Sequence, residues 1–310
     1  MGARSKIAGL VALGALVAGL AGGASAPAQG GGREEVPGLP WTEVLPPIPG
    51  PNEQRPHRVP HCKDPSPRCV RGVIERLRER RDRWGCDHRA VFATTYFELT
   101  KQIMRDIRSG FVKRNFDRPR YLYLEDALFA NVYFRTIRAA RRGDEVAGAW
   151  RVAFDAAAAG DKFGAQDMLL GINAHVQNDM PFVLASLGLQ TRNGKSRKHD
   201  HDVANGALNR GYNEVVGAVR RRYDESLDLT NPAQVPFDDA AGLEMVRGWR
   251  ELVWRNAERL VAAETRAERR EVAEQIESYA ETQAEMIAAT SVPGYGATRD
   301  AYCATGPAGS

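Results

Sequence analysis

Apolar positions recur every three to four residues through most of this chain and almost nowhere alternate. Val70, Val73, Ile74, Leu77 and Trp84 form one face of a first helix. Asp87 is a plausible N-cap for a second, over about 88–108, because its short carboxylate can accept a first-turn N–H. Pro119 suits a first helical turn and Gly143 a helix end, so "PRYLYLEDALFANVYFRTIRAARRG" reads as a third. A fourth starts at Asp144 and passes Trp150 and Phe154 to Gly160; a fifth covers about 162–188. The polar loop "QTRNGKSRK" leads to a sixth, from about 201 to 224. Beyond Pro232 and Pro236, Leu243, Val246, Trp249, Val253 and Leu260 mark a seventh. A long, charged eighth ends near Thr290, and its polarity puts it outermost. The pattern predicts an all-α fold: one multi-helix, bundle-like domain over 61–310, with C-terminal helices at 238–290 and a tail to 310.

The first 60 residues break that pattern. Residues 29–60 hold eight prolines and little periodicity, which predicts an extended Pro/Gly-rich leader. Before it, Arg4 and Lys6 precede the apolar run Ile7–Leu20 and the small-residue exit Ala26-Pro27-Ala28. That order is the order of a secretory signal peptide, 1–28, cut after Ala28. Its apolar run is short against the roughly 20 residues a membrane span needs, so no stable insertion is expected once it is removed. The expected location is secreted, outside the cytoplasm.

Composition narrows the partners. Of 310 residues, 43% are apolar and 26% charged, the balance of a soluble globular protein. The formal charge of +4 falls to +2 without Arg4 and Lys6, too little for a nucleic-acid partner. Basic runs such as Arg78-Glu79-Arg80-Arg81-Asp82-Arg83 alternate with acids and read as solvated faces. A cell-envelope, lipid or protein partner remains open.

Four cysteines, Cys62, Cys69, Cys86 and Cys303, suit two disulfides in an exported chain. A helix between Cys69 and Cys86 would separate them by roughly 25 Å at 1.5 Å per residue, beyond disulfide reach. The pairing chosen is therefore Cys62–Cys69 with Cys86–Cys303.

The segment "GINAHVQNDMPFVLASLGL" (171–189) carries the candidate chemistry, because Asn173, His175, Asn178 and Asp179 interrupt an otherwise buried helix. His175 and Asp179 are four residues apart, so they share a face, and imidazole plus carboxylate suits zinc or another divalent ion. A hydrogen-bonded core pair satisfies the same spacing. Gly171, one turn earlier, leaves space beside the ring. Pro181 predicts a kink just past the pair. Two further segments add polar groups. "RKHDHDVANGALN" supplies His199, Asp200, His201, Asp202 and Asn205, with His201 and Asn205 again four apart. "YLEDALFANVYF" sets Glu125 and Asp126 inside an aromatic-rich helix, where uncompensated carboxylates are costly. Helices three, five and six can converge these groups in a bundle interior.

Together with "CVRGVIERLRERRDRWGCDHRAVFATTYFELT", these segments resemble a bacterial family, domain of unknown function 5995, over roughly 60–225. The resemblance implies recurring polar positions at Asp126, Asn173, His175, Asp179, His201, Asp202 and Asn205, while His199 departs from the pattern. "LLGINAHVQNDMPFVLA" is also similar to a metal-binding helix of zinc-dependent phospholipase C and the related single-strand nucleases. There the closing histidine falls on Ala185 and the H-x-x-x-E partner reads His201…Asn205, so a three-metal cluster is not expected.

Two readings stay open. In one, a buried His/Asp/Asn cluster fixes helix packing or forms a binding pocket. In the other, His175, Asp179, His201 and Asp126 hold one divalent metal, zinc by donor type, in a hydrolase acting on phosphoesters or lipids. The metal-bound water would be its nucleophile and Asp202 or Glu125 its base.

Overall fold

Helices begin and end close to where the sequence places its stops. The computed structural model describes residues 62–227 and 239–307; the expected signal segment and Pro-rich leader lie outside them. Helices α1 (Pro67–Trp84), α2 (Arg89–Arg108), α3 (Phe111–Asn115), α4 (Pro119–Arg142) and α5 (Gly148–Ala159) come first. Then α6 (Gly164–Ile172), a π-helical segment (Asn173–Asp179) and α7 (Met180–Leu187) run end to end. Helices α8 (Lys198–Val203), α9 (Asn205–Arg222), α10 (Asp239–Ala262), α11 (Arg266–Ala288) and α12 (Tyr295–Thr305) complete the described chain. The fold is all-α.

Local chemistry explains these boundaries. Asp87 Oδ1 accepts the Arg89 N–H at 2.8 Å at the entrance of α2. Pro119 sits in the first turn of α4, and Gly143, at φ 76°, closes it with its N–H turned back on Ala139 and Ala140. The sequence pattern misses α3 and α12, which are too short for their periodicity to stand out. It also starts the sixth helix a few residues late.

The aromatic-rich core joins α1, α2, α4, α5, the π segment, α7, α10 and α11 through residues such as Leu77, Phe92, Tyr96, Phe129, Tyr133, Trp150, Leu184 and Trp254. Helix α11 buries Ile276, Ala280 and Ala284, one face at four-residue spacing, with most of its other side chains exposed. It is an outer helix, as its polarity suggests. A smaller cluster lies between α2, α6 and α9 and includes Val91, Met168, Val219 and Cys303.

Both chosen disulfides are present: Cys62–Cys69 with Cα atoms 5.2 Å apart, and Cys86–Cys303 at 5.7 Å. The second pins α12 to the start of α2. Buried Arg299 adds a hydrogen bond to the Cys86 carbonyl. Tyr295 donates to Asp224 at 2.5 Å, and Asp224 accepts the Gly164 N–H at 2.8 Å, tying α12 to the entrance of α6. At Gly296 a Cβ would lie 1.8 Å from the Gly160 carbonyl oxygen, so only glycine permits this approach.

The expected fifth helix is not one uninterrupted α-helix. Its centre is the π-helical segment, and Pro181 follows it in the first turn of α7. Proline has no N–H for the carbonyl four residues back, and its ring crowds that carbonyl. A wider turn ahead of Pro181 accommodates this, so the irregularity expected just past the polar pair falls on it.

Candidate functional site

The π segment turns its polar side chains in different directions. Asn173 Nδ2 donates outward to the Ala280 carbonyl of α11 at 2.8 Å. Asp179 is the hub: Oδ2 accepts His175 Nδ1–H at 2.9 Å and Trp150 Nε1–H at 2.9 Å, and Oδ1 accepts Asn178 Nδ2–H at 2.8 Å. Three donors thus fix one carboxylate, and that carboxylate fixes the tautomer of His175. With Nδ1 protonated, Nε2 carries the lone pair.

An aromatic cage holds the imidazole. It stacks on Phe129 with centroids 3.5 Å apart and planes 5° from parallel, with Tyr96 at 5.0 Å and Tyr133 at 5.5 Å. Phe92 stands edge-on at 5.9 Å. Gly171 makes room for Phe92 rather than for the imidazole: a Cβ there would lie 2.2 Å from the Phe92 ring. Burial lowers the His175 pKa, opposed only in part by the bond to Asp179, so the ring is neutral.

His175 also lines a cavity of about 190 Å³ between α2, α4, α6, the π segment, α9 and α10. Most of its wall is apolar, including Leu99, Ile103, Leu122, Leu169, Ile172, Val176, Leu208, Val216, Leu243 and Val246. Thr95 and Thr100 are on this wall too, but their hydroxyls donate to backbone carbonyls of their own helix. The remaining polar wall consists chiefly of Tyr96, Glu125, Asp126, His175 and Arg250.

Three of those residues have buried polar atoms without a hydrogen-bond partner among the described residues: Tyr96 Oη, Asp126 Oδ2 and His175 Nε2. Burial and the neighbouring Glu125 carboxylate push the Asp126 pKa up to about 8. Burial raises Glu125 to about 7 against the pull of Arg250. Burial, then Asp126, moves the Tyr96 hydroxyl well above its ordinary range. At neutral pH Tyr96 and Asp126 are therefore mainly protonated and His175 offers one basic nitrogen, while Glu125, near its midpoint, shares its charge with Arg250.

The other polar candidates belong to a different network. His201 Nε2–H donates to the Arg250 carbonyl at 3.1 Å, and its Nδ1 faces Arg250 Nη2 at 3.3 Å. Arg250 also donates to the His201 carbonyl at 2.8 Å and to Asn205 Oδ1 at 2.5 Å. Asn205 therefore pairs with the guanidinium, not with His201. Asp202 takes Lys198 at 2.5 Å and is not on the cavity wall.

The four expected ligands His175, Asp179, His201 and Asp126 do not gather around one point. Among the described residues, the His, Cys, Asp and Glu ligand atoms that do lie within 4.8 Å of one another come from Asp117, His199 and Asp200. That group is already engaged. Asp200 accepts the backbone N–H groups of Asp117 and Arg118 at 2.6 and 3.0 Å, Lys195 pairs with Asp117 at 2.8 Å, and His199 Nε2 faces the Asn115 carbonyl at 3.0 Å. These bonds tie α8 to the loop before α4.

Sequence reasoning missed Tyr96, Phe129, Trp150 and Arg250. The spacing Phe92-x-x-x-Tyr96, which belongs to the family-like pattern, was the available signal for Tyr96. Arg250 gave none, because its role depends on α10 docking across α7 and α8.

Among the described residues no helix is long and apolar enough to cross a membrane. No curated protein and no solved structure matches the chain, so the likeness to phospholipase C and the single-strand nucleases gains no support. A family model does match residues 70–290, which include all the cavity-lining and Asp179-hub residues named above. By that match the chain belongs to a family of unknown function, DUF5995.

Proposed function

We propose that the cavity binds a small, mostly apolar molecule through one oxygen-bearing end, held by Tyr96 and Asp126 beside His175. The observation that carries this reading is that three residues with an unpartnered buried polar atom, Tyr96, Asp126 and His175, line one mostly apolar cavity. Each such atom costs about 1–3 kcal/mol when left unpaired. Three together rival the net stability of a domain, about 5–15 kcal/mol, so a ligand that pairs with them has much to gain. Apolar cavities of about 150 Å³ admit a benzene-sized molecule, and this one, at about 190 Å³, suits roughly a two-ring compound. Export belongs to the same proposal. All four cysteines are paired, as in an oxidising compartment, and the N-terminal basic and apolar segment supplies a route.

Thermal unfolding with indanone and with indane, which has the same rings and no oxygen, tests the binding. Indanone at a hundred-fold excess over its Kd should stabilise by about 2.7 kcal/mol, and indane by clearly less. Val216→Phe, which fills the wall, should abolish both effects. Equal responses to the two compounds, or none to either, would overturn the reading. The metal-dependent hydrolase is not favoured at the expected ligands, because the donor set that does gather among the described residues, Asp117, His199 and Asp200, includes none of His175, Asp179, His201 and Asp126 and lies off the cavity wall. One zinc per chain in elemental analysis of the purified protein would restore it.

A further inference from the structure

An oxygen end accounts for two of the three unpartnered groups and leaves the third unexplained. Tyr96 and, below about pH 8, Asp126 both have a hydrogen to donate, and an oxygen accepts both. His175 differs, since its Nδ1–H is committed to Asp179 and Nε2 can only accept. A ketone oxygen offers it no hydrogen. The carbon beside that oxygen does, and its hydrogens become acidic once the carbonyl is hydrogen-bonded.

Resting on the binding proposed above, we propose that the cavity catalyses proton transfer at the carbon next to the carbonyl of a small apolar ketone, with His175 Nε2 as base and Tyr96 and Asp126 holding the oxygen. Nε2 takes the proton, and the C–H electron pair becomes the carbon–carbon double bond of the enolate. The carbonyl π pair moves onto oxygen, against the two hydroxyl donors. The imidazolium then returns a proton to the same carbon, giving exchange, or to the far end of a conjugated system, shifting a double bond. Protons and electrons balance without an oxidant, a reductant or a second substrate.

The surroundings suit each step. Asp179, itself fixed by Trp150 and Asn178, stabilises the imidazolium as it forms and aims the ring. These three act as positioning residues. Stacking against Phe129 restrains the ring plane. Donors fixed in an apolar wall stabilise developing oxyanion charge more strongly than water does. Hydrolysis fits less well, because an attacking water and a leaving group would have to share about 190 Å³ of mainly apolar space.

The test uses the full chain and indanone in deuterated buffer. Loss of the α-proton signal is followed by NMR, and thermal unfolding with indanone is run beside it. The wild type should exchange faster than buffer. His175→Gln should lose about 10²–10⁴-fold of that acceleration while keeping the indanone stabilisation. Tyr96→Phe should slow exchange less, because Asp126 still donates. Val216→Phe, remote from the reacting groups, should lose both binding and exchange, which keeps the test decisive if His175→Gln folds poorly. Indanone stabilisation without exchange would overturn proton transfer and leave the binding proposal standing. Neither effect would overturn both. Exchange unchanged in His175→Gln would remove His175 as the base.

Discussion

His175 and His201 are each 1% exposed, and both stand in helical segments dense with polar residues. Their surroundings differ. Both ring nitrogens of His201 face groups of Arg250, whose guanidinium also reaches Asn205 and, at 3.4 Å, Met180 Sδ. His175 has one nitrogen fixed by Asp179 and the other without a partner among the described residues, on a residue that lines the cavity. Burial lowers both pKa values, and at His201 Arg250 and Lys198 lower it further. Burial and ionisation therefore do not tell them apart. Unfilled hydrogen-bonding capacity does: the satisfied ring holds helices together, and the unsatisfied one is the ring to which the proposal assigns a ligand.

The largest expected effect tests the structural half of that contrast. Arg250→Ala would leave Asn205 Oδ1, His201 Nδ1 and the His201 carbonyl short of donors at once, besides opening a gap between α7, α8 and α10. A loss of about 3–5 kcal/mol in urea unfolding is expected, from several unpaired groups of about 1–3 kcal/mol each in a partly relaxing site. His175→Phe should cost less, about 1–2 kcal/mol, because Asp179 keeps Trp150 and Asn178 and the new ring retains the stacking. If His175→Phe proved the more costly, the contrast would be reversed.

The legible half was the more local one. Helix faces, the Gly143 stop, the outer position of α11 and both disulfides follow from spacing and composition, because each depends on neighbours in sequence or on chain reach. So did the oddity of Asp126, His175 and Asp179, since buried polar residues are visible as interruptions of an apolar run. What those interruptions did was not legible. Whether His201 meets His175 or Arg250 depends on α10, about fifty residues away. The Phe129 stack and the Trp150 bond depend on the relative rotation of α4, α5 and the π segment. Pro181 signalled an irregular turn without fixing its form, and the π geometry sets where the His175 ring points. A spacing of four between His and Asp is compatible with a metal pair and with a hydrogen bond. Only the third dimension separates them.

An intermediate effect concerns the two acids of the cavity wall. Both carboxyls have folded pKa values raised above their ordinary 4.5 and 3.8, to about 7 for Glu125 and about 8 for Asp126. A raised folded pKa means that the folded state holds the proton longer. Its favourable contribution is therefore complete below the unfolded pKa and is lost as pH rises through the folded value. The lowered values of His175 and His201 act oppositely, adding stability above the ordinary 6.5 and losing it on acidification. The pair Glu125→Gln and Asp126→Asn removes the first effect and keeps the second. Against the wild type, its relative stability should improve by up to a few kcal/mol between about pH 5 and pH 8, as read by calorimetry at both values. Arg250 and Arg197 draw Glu125 down and Asp200 pushes it up, so Glu125 should contribute less than Asp126. A relative stability independent of pH would place both acids in contact with solvent and remove Asp126 as a donor.

The smallest expected effect is at Asp202, a candidate base by sequence. Its side chain is 36% exposed and takes Lys198 at 2.5 Å, and Lys198 also reaches the buried Glu251 at 2.6 Å. Asp202→Asn therefore leaves the lysine with its more buried partner. Exposed pairs of this kind contribute about 0–1 kcal/mol, so unfolding should shift by no more than that. Because Asp202 is off the cavity wall, indanone stabilisation and α-proton exchange should both remain at wild-type levels. The variant is informative because Asp202 and His175 stand on opposite sides of the contrast. One is partly exposed and paired; the other is buried and half paired. If Asp202→Asn abolished exchange and His175→Gln did not, the working groups would lie on α8, and the Arg250 network would be functional rather than structural.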